Sequence, residues 1–260
     1  PPVQEIAAQL AEVARAAGSA ILALRREGLN AEMKGVGQLV TLADQRSHEI
    51  IAPELERCFP GVVRILEEQE NPEALPARYI TADELDGTAI YAAGFPDWGV
   101  TLALIQDGEP VAGVLHQPAL GVTVTAWRGG GAWLDGRRLR LDPAAALAGT
   151  IAMLELNPLL GLDNAAWAAR VAHRAVAAVT QATAVGNTIA LLQGRASVYL
   201  NCRGAKVWDF AAAVLAVREA GGVALSTDGG AIDWRRLPVG ALLASGPEVA
   251  REVLALRAGG

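Results

Sequence analysis

The stretch ADELDGTAIYAAG, residues 82–94, sets two aspartates three positions apart with a glutamate between them and closes on Gly87 and Thr88. Like charges repel at short range, and crowding three carboxylates gains folding little. An Asp-Gly turn whose acids cap a helix starting at Thr88 is one account of the pattern. A hard divalent cation is another. Mg2+ takes oxygen ligands in near-octahedral array, usually a few carboxylates, waters and a substrate phosphate. On a turn, Asp83 and Asp86 can point the same way with the Leu85 carbonyl between them. Gly87 lets the chain bend, and a helix from Thr88 offers free amides to a phosphate.

Two metals need more acids than this stretch holds, and three other stretches supply them. LVTLAD (39–44) ends an extended segment in Asp44, ILEEQE (65–70) ends a strand in Glu67 and Glu68, and VWDFAAA (207–213) opens an apolar helix with Asp209. Taken singly, Asp44 and Asp209 also read as helix caps, and Glu67 and Glu68 as a solvated loop.

Around these stretches the chain has ample core material, with 52% hydrophobic and 19% charged residues among 260. Mean hydropathy is +0.27. Apolar spacing predicts an amphipathic helix over 3–27 and a second helix over 44–57, ended by Phe59-Pro60-Gly61. Strands are expected at 62–66 and 78–82, then a hairpin over 98–118 around Asp107-Gly108 and a continuing meander. From about residue 147 the texture alternates. A strand at 150–156 precedes a helix over 165–178, a strand-like 180–185, a helix from Thr188 and a strand at 196–202. A helix over 208–220, strands 222–226 and 240–245 and a final helix follow. The class is α+β, with an N-terminal half (1–146) carrying most candidate ligands and a C-terminal half (147–260) contributing Asp209.

Several function classes are disfavoured. Net charge is −6 with the charges scattered, so no basic stripe tracks a phosphate backbone and nucleic acid is not expected as a partner. No uninterrupted apolar run approaches the roughly 18 residues of a membrane span, and the start carries acids with no cleavage-site pattern. Cys58 and Cys202 have no paired spacing and read as buried thiols of a reducing compartment, the cytoplasm. His48 is expected on an exposed helix face, and His116 and His173 as structural residues. No nucleophile motif lies near them and GxSxG is absent. Gly129-Gly130-Gly131 reads as a hairpin turn. In the register of the haloacid dehalogenase nucleophile loop the nucleophile would be Glu84, one methylene too long.

Taken together, LVTLAD … LEE … DELDGTAIYAAGFPDWGVTLAL … RGGGAWLDG … VWDFAAA … REAGG, from about Lys34 to Gly230, resembles the inositol monophosphatase family of Mg2+-dependent, Li+-sensitive phosphatases. The resemblance implies a layered α/β/α/β/α sandwich and hydrolysis of a small phosphate monoester by metal-activated water. It implies two or three Mg2+ per site, Li+ inhibition and a homodimer. By motif, Glu67, Asp83 and the Leu85 carbonyl would hold one metal, and Asp83, Asp86 and Asp209 a second. Asp44 and Thr88 would position or deprotonate the water, and the Gly87 and Thr88 amides would receive phosphate.

The departures from that pattern concern the surroundings of the ligands. Glu84 stands where a proline is usual, Ile90-Tyr91 where Asn-Phe is, and Leu66 where a glycine is. At the substrate wall Cys202 takes the place of a hydroxyl-binding glutamate, and Gly186-Asn187 that of a Gly-Ser or Gly-Thr turn. Arg203 and Lys206 stand close by. Losing a carboxylate beside two cations should favour an alcohol bearing its own negative charge. A nucleotide or sugar phosphate is therefore expected to outperform inositol 1-phosphate. The family's substrates include inositol phosphates, fructose bisphosphate, histidinol phosphate and adenosine 3′,5′-bisphosphate. The alternative is a catalytically retired fold serving as a binding or regulatory subunit.

Overall fold

The computed structural model describes residues 2–27, 31–33, 39–156 and 160–257 of the 260. Helix α1 (Val3–Glu27) is amphipathic, with Ile6, Leu10, Val13, Ala17 and Ile21 all buried on one stripe. The helix is long and apolar enough by composition to span a bilayer, but half of that stretch is buried in the protein, which makes it a core helix. A short antiparallel pair, β1 (Ala31–Met33) and β2 (Leu39–Thr41), leads into α2 (Leu42–Cys58).

Seven strands follow in sheet order β3 to β9. They are β3 (Val63–Leu66), β4 (Tyr79–Asp86), β5 (Gly99–Gln106), β6 (Glu109–Gln117), β7 (Val122–Trp127), β8 (Gly131–Leu134) and β9 (Arg137–Arg138). Only the β3–β4 pair is parallel. Asp107 (φ 56°) and Gly108 (φ 75°) form the two-residue turn that the hairpin pattern requires, since left-handed turn residues match the twist of paired strands. A five-residue helix, α3 (Thr88–Ala92), follows β4.

One expectation changes here in a way that builds the site. Strand β4 does not stop at residue 82 but runs on through Asp86, with all eight residues buried. Its pairing with β5 slips between Asp83 and Asp86. In a regular strand, residues three apart face opposite sides; the irregularity brings both aspartates to one side.

The second sheet has the order β11-β10-β12-β14-β13, from β10 (Ile151–Leu154), β11 (Ala177–Val179), β12 (Val198–Lys206), β13 (Val223–Leu225) and β14 (Pro238–Ala244). Its helices are α4 (Leu162–Arg174), α5 (Ala184–Leu192), α6 (Val207–Glu219) and α7 (Pro247–Ala255). Three expectations are corrected. The helix expected through 178 stops at Arg174, and the strand expected at 180–185 lies at 177–179. Helix α5 also begins before Thr188, because Thr183 caps it by accepting from the Gly186 amide at 3.1 Å. Ala182, at φ 54°, turns the chain just before the cap and rules out an extended run there.

Among the described residues three cores join five layers, the central one spanning both faces of the middle helical layer. Helices α1 and α2 cover one face of the first sheet, and α5 and α6 lie between the sheets. Helices α4 and α7 cover the far face of the second sheet. This is the α/β/α/β/α sandwich. Helix α6 approaches closely because its face is small, with Ala211, Ala212 and Ala213 all buried. A Cβ added at Gly113 of β6 would stand 2.9 Å from the Ala212 Cα. Buried Phe210, stacked on Tyr199 at 5.5 Å, anchors the same helix. Truncating such a ring to alanine costs about 3–5 kcal/mol.

Candidate metal centre

The bulge of β4 and the first turn of α6 converge on one point. Asp83, Asp86 and Asp209 each offer a carboxylate oxygen, and the three atoms lie within 4.8 Å of one another. Asp83 and Asp86 are buried, and Asp209 is half-buried. Asp83 is steadied by the Leu85 amide, which donates to it at 3.0 Å. Asp209 accepts from the Lys206 amide at 2.6 Å, as an acid in the first turn of a helix does.

Asp86 is held from the other half of the protein. The Ala184 amide donates to one carboxylate oxygen at 3.0 Å and the Val185 amide to the other at 2.6 Å, joined by the Thr183 hydroxyl. Reading the sequence did not find these donors. Its one available signal was Thr183 three residues before Gly186, the spacing of a helix cap.

Glu67 completes the set from the end of β3, its carboxyl in hydrogen-bond contact with that of Asp83. Desolvation first, then the charge of Asp209, push Glu67 up to about 8. The residue nonetheless keeps solvent-exposed surface. Its carboxyl head contacts buried Asp83. Asp83 is driven well above the ordinary carboxylate range by burial and then by Glu67, Asp86 and Asp209. Asp86 rises through burial, against the three donors that favour its charged form.

Among the described residues no lysine or arginine forms an ion pair with Asp83 or Asp86. Crowded, desolvated carboxylates of this kind are hard oxygen donors, and a divalent cation such as Mg2+ turns their repulsion into binding. The donor set fits that ion.

Asp44, 4% exposed in the first turn of α2, lies 3.2 Å from the Thr88 hydroxyl, which also reaches the Leu85 carbonyl at 3.1 Å. Gly87 (φ 84°) makes the turn into α3. A Cβ there would stand 3.0 Å from Ile90 Cγ1 and 3.2 Å from Thr183 Cβ. Glu84, between the aspartates, is 1% exposed and bonded to His48 Nδ1 at 2.8 Å. His48 is therefore not free on an exposed face, and this bond raises its pKa above the usual imidazole value. His116 is structural, with Nδ1 against the Val122 carbonyl and the Thr123 hydroxyl.

The expected substrate wall is only partly assembled. Gly186 is required, since a Cβ would stand 2.7 Å from Thr183 Cγ2. Asn187 is fully buried, and its amide atoms have no hydrogen-bond partner within normal geometry, although the Tyr199 hydroxyl is near. Cys202 does not face the acids. It packs with Leu154, Trp167 and Val253 in the outer core, its thiol pushed up by burial. Alternation along β12 turns Tyr199 and Asn201 inward instead. Lys206 is exposed at the start of α6, and the Arg203 side chain lies outside the described residues.

The inositol monophosphatase family model matches residues 2–258, and the chain belongs to that family, a class of phosphoric monoester hydrolases. An inositol-1-monophosphatase of Mesorhizobium japonicum is 32% identical over 209 residues, 78% of each chain. A Nus factor SuhB of Xylella fastidiosa is 32% identical over 224 residues, 82% of this chain and 78% of that one. The crystal structure of extragenic suppressor protein suhB from Bartonella henselae superposes with a TM-score of 0.88 at 25% identity. It covers 98% of this chain and 99% of its own.

Proposed function

We propose that the protein hydrolyses a small phosphate monoester in a Mg2+-dependent reaction. The observation that carries this reading is the meeting of Asp83, Asp86 and Asp209 within 4.8 Å in a chain of this family. Glu67, Asp83 and the Leu85 carbonyl would hold one ion, and Asp83, Asp86 and Asp209 another. When bound, the ions supply positive charge that orients the phosphate and makes water a better nucleophile near neutral pH. The Gly87 and Thr88 amides would receive the phosphate oxygens. Thr88 donates a hydrogen bond to Asp44 or to the Leu85 carbonyl and keeps its proton, leaving a lone pair to orient the attacking water, and the Asp44 carboxylate takes the water's proton.

The substrate proposal shifts with the side chains. With Cys202 turned away, the cation that remains close to the acids is Lys206, exposed at the start of α6 with its amide on Asp209. One cation there favours an alcohol carrying its own negative charge, such as a second phosphate. Li+ inhibition and a cytoplasmic site belong to the same reading. So does a homodimer, for which the exposed β11 edge with Val176 (71% exposed) is a candidate surface.

Two relatives carry the name of a Nus factor, so a binding role is the alternative; retention of every inferred carboxylate argues against it. The test is phosphate release from a panel of monoesters with Mg2+, with EDTA, with Li+, and with Asp86→Asn. Full activity in EDTA overturns the proposal. A highest kcat/KM for inositol 1-phosphate overturns the substrate preference alone.

A further inference from the structure

We infer that Glu84 is a positioning residue for the Glu67 ligand. It occupies the irregularity of β4 between Asp83 and Asp86 and is almost fully buried. One carboxylate oxygen accepts from the Glu67 amide at 3.2 Å, an N–H that it shares with the Ala82 carbonyl, also at 3.2 Å. The other oxygen meets His48 Nδ1 at 2.8 Å. The Glu84 carbonyl accepts from the Ser47 hydroxyl at 2.6 Å.

A single residue thereby ties three segments, and each carries acids of the site. The end of β3 carries Glu67, β4 carries Asp83 and Asp86, and α2 carries Asp44 one turn before Ser47 and His48. Burying a carboxylate is costly unless its oxygens are bonded. Here both are, and one of them is bonded to the backbone of an inferred ligand. Parallel pairing of β3 with β4 ends at Leu66 and Ala82. Beyond that point Glu84 and the shared Ala82 carbonyl are what fix the Glu67 backbone against β4. Partners one step removed from a metal set ligand orientation, and their loss weakens binding about ten- to hundredfold.

The inference rests on the metal reading above, and the experiment separates the two. Mg2+ binding is measured by calorimetry on the wild type, Glu84→Ala, Glu84→Gln and His48→Ala. Mg2+ activation of phosphate release and thermal unfolding in EDTA are followed in parallel. Glu84→Ala should weaken Mg2+ binding about ten- to hundredfold while kcat at saturating Mg2+ changes little. Glu84→Gln should recover most of the affinity, because its amide oxygen accepts from Glu67 and its NH2 donates to neutral His48. His48→Ala, at the more exposed end, should weaken binding about three- to tenfold. Wild-type affinity in Glu84→Ala overturns the inference, as does a Glu84→Gln variant as weak as Glu84→Ala. If Glu84→Ala does not fold, unchanged affinity in His48→Ala overturns it. A wild type that binds no Mg2+ overturns the metal reading and this inference together.

Discussion

Thr183 donates its hydroxyl to the carboxylate of Asp86, a residue 97 positions earlier in the chain. The bond joins the loop before α5 to the bulge of β4, so two distant segments of the chain meet at a proposed metal ligand. The same hydroxyl oxygen caps α5 by accepting from Gly186. One side chain therefore serves the helix and the site.

Replacing Thr183 by valine keeps the shape and removes both bonds. Loss of the cap should cost about 1–2 kcal/mol, and Mg2+ affinity should fall about tenfold as Asp86 loosens. Thr183→Ser should restore both. Thermal unfolding and a Mg2+ titration read the two effects, and a valine variant with wild-type Mg2+ affinity contradicts the coupling.

Asp209→Asn removes a charge while leaving a side-chain oxygen to accept from the Lys206 amide, the bond that the third residue of a capping box makes. The fold should hold and phosphate release should fall about 10³-fold, the rate equivalent of several kcal/mol of charge stabilisation. An unfolding temperature close to wild type alongside that loss distinguishes a site effect from a folding one.

Gly87→Ala places a Cβ 3.0 Å from Ile90 Cγ1 at φ 84°. Strain of this kind costs about 1–3 kcal/mol, and the shift would be felt by Thr183 and Asp86. Gly121→Ala is the control, with φ 66° but nothing within 4 Å of the new Cβ. It should lose some stability and no activity. Equal activity in the two variants would remove Gly87 from the site.

Stability of the metal-free protein should fall as pH rises from about 4.5 to about 8. Glu67 is pushed up to about 8 in the fold from an ordinary value of 4.5. Between these values the folded chain holds more protons than the unfolded one, so raising the pH favours unfolding. Asp83 and Asp86 are raised in the same direction. Mg2+ displaces those protons, so the stabilisation it confers should grow across the same window. Unfolding temperatures at pH 5.5 and 8, with EDTA or Mg2+, check the sign. A larger Mg2+ effect at pH 5.5 would contradict it.

Local patterns carried much of this architecture in the sequence. The helical spacing of Ile6, Leu10, Val13 and Ala17 sets α1, and Asp107-Gly108 sets the β5–β6 hairpin. The crowding of Asp83, Glu84 and Asp86 on one short stretch could be read as a demand for a cation, and the family resemblance added Asp209. These signals are legible because neighbouring residues enforce them through backbone preference and side-chain period. What only the tertiary structure decided depends on approach between distant segments. The bulge that brings Asp83 and Asp86 to one side, the grip of Thr183, Ala184 and Val185 on Asp86, and the bond from Glu84 to His48 belong to this group. So does the direction of Cys202. A strand's period of two sends neighbours to opposite layers, and the packing of Trp167 and Val253, rather than the residue type, decided which layer received the thiol and which received Asn201.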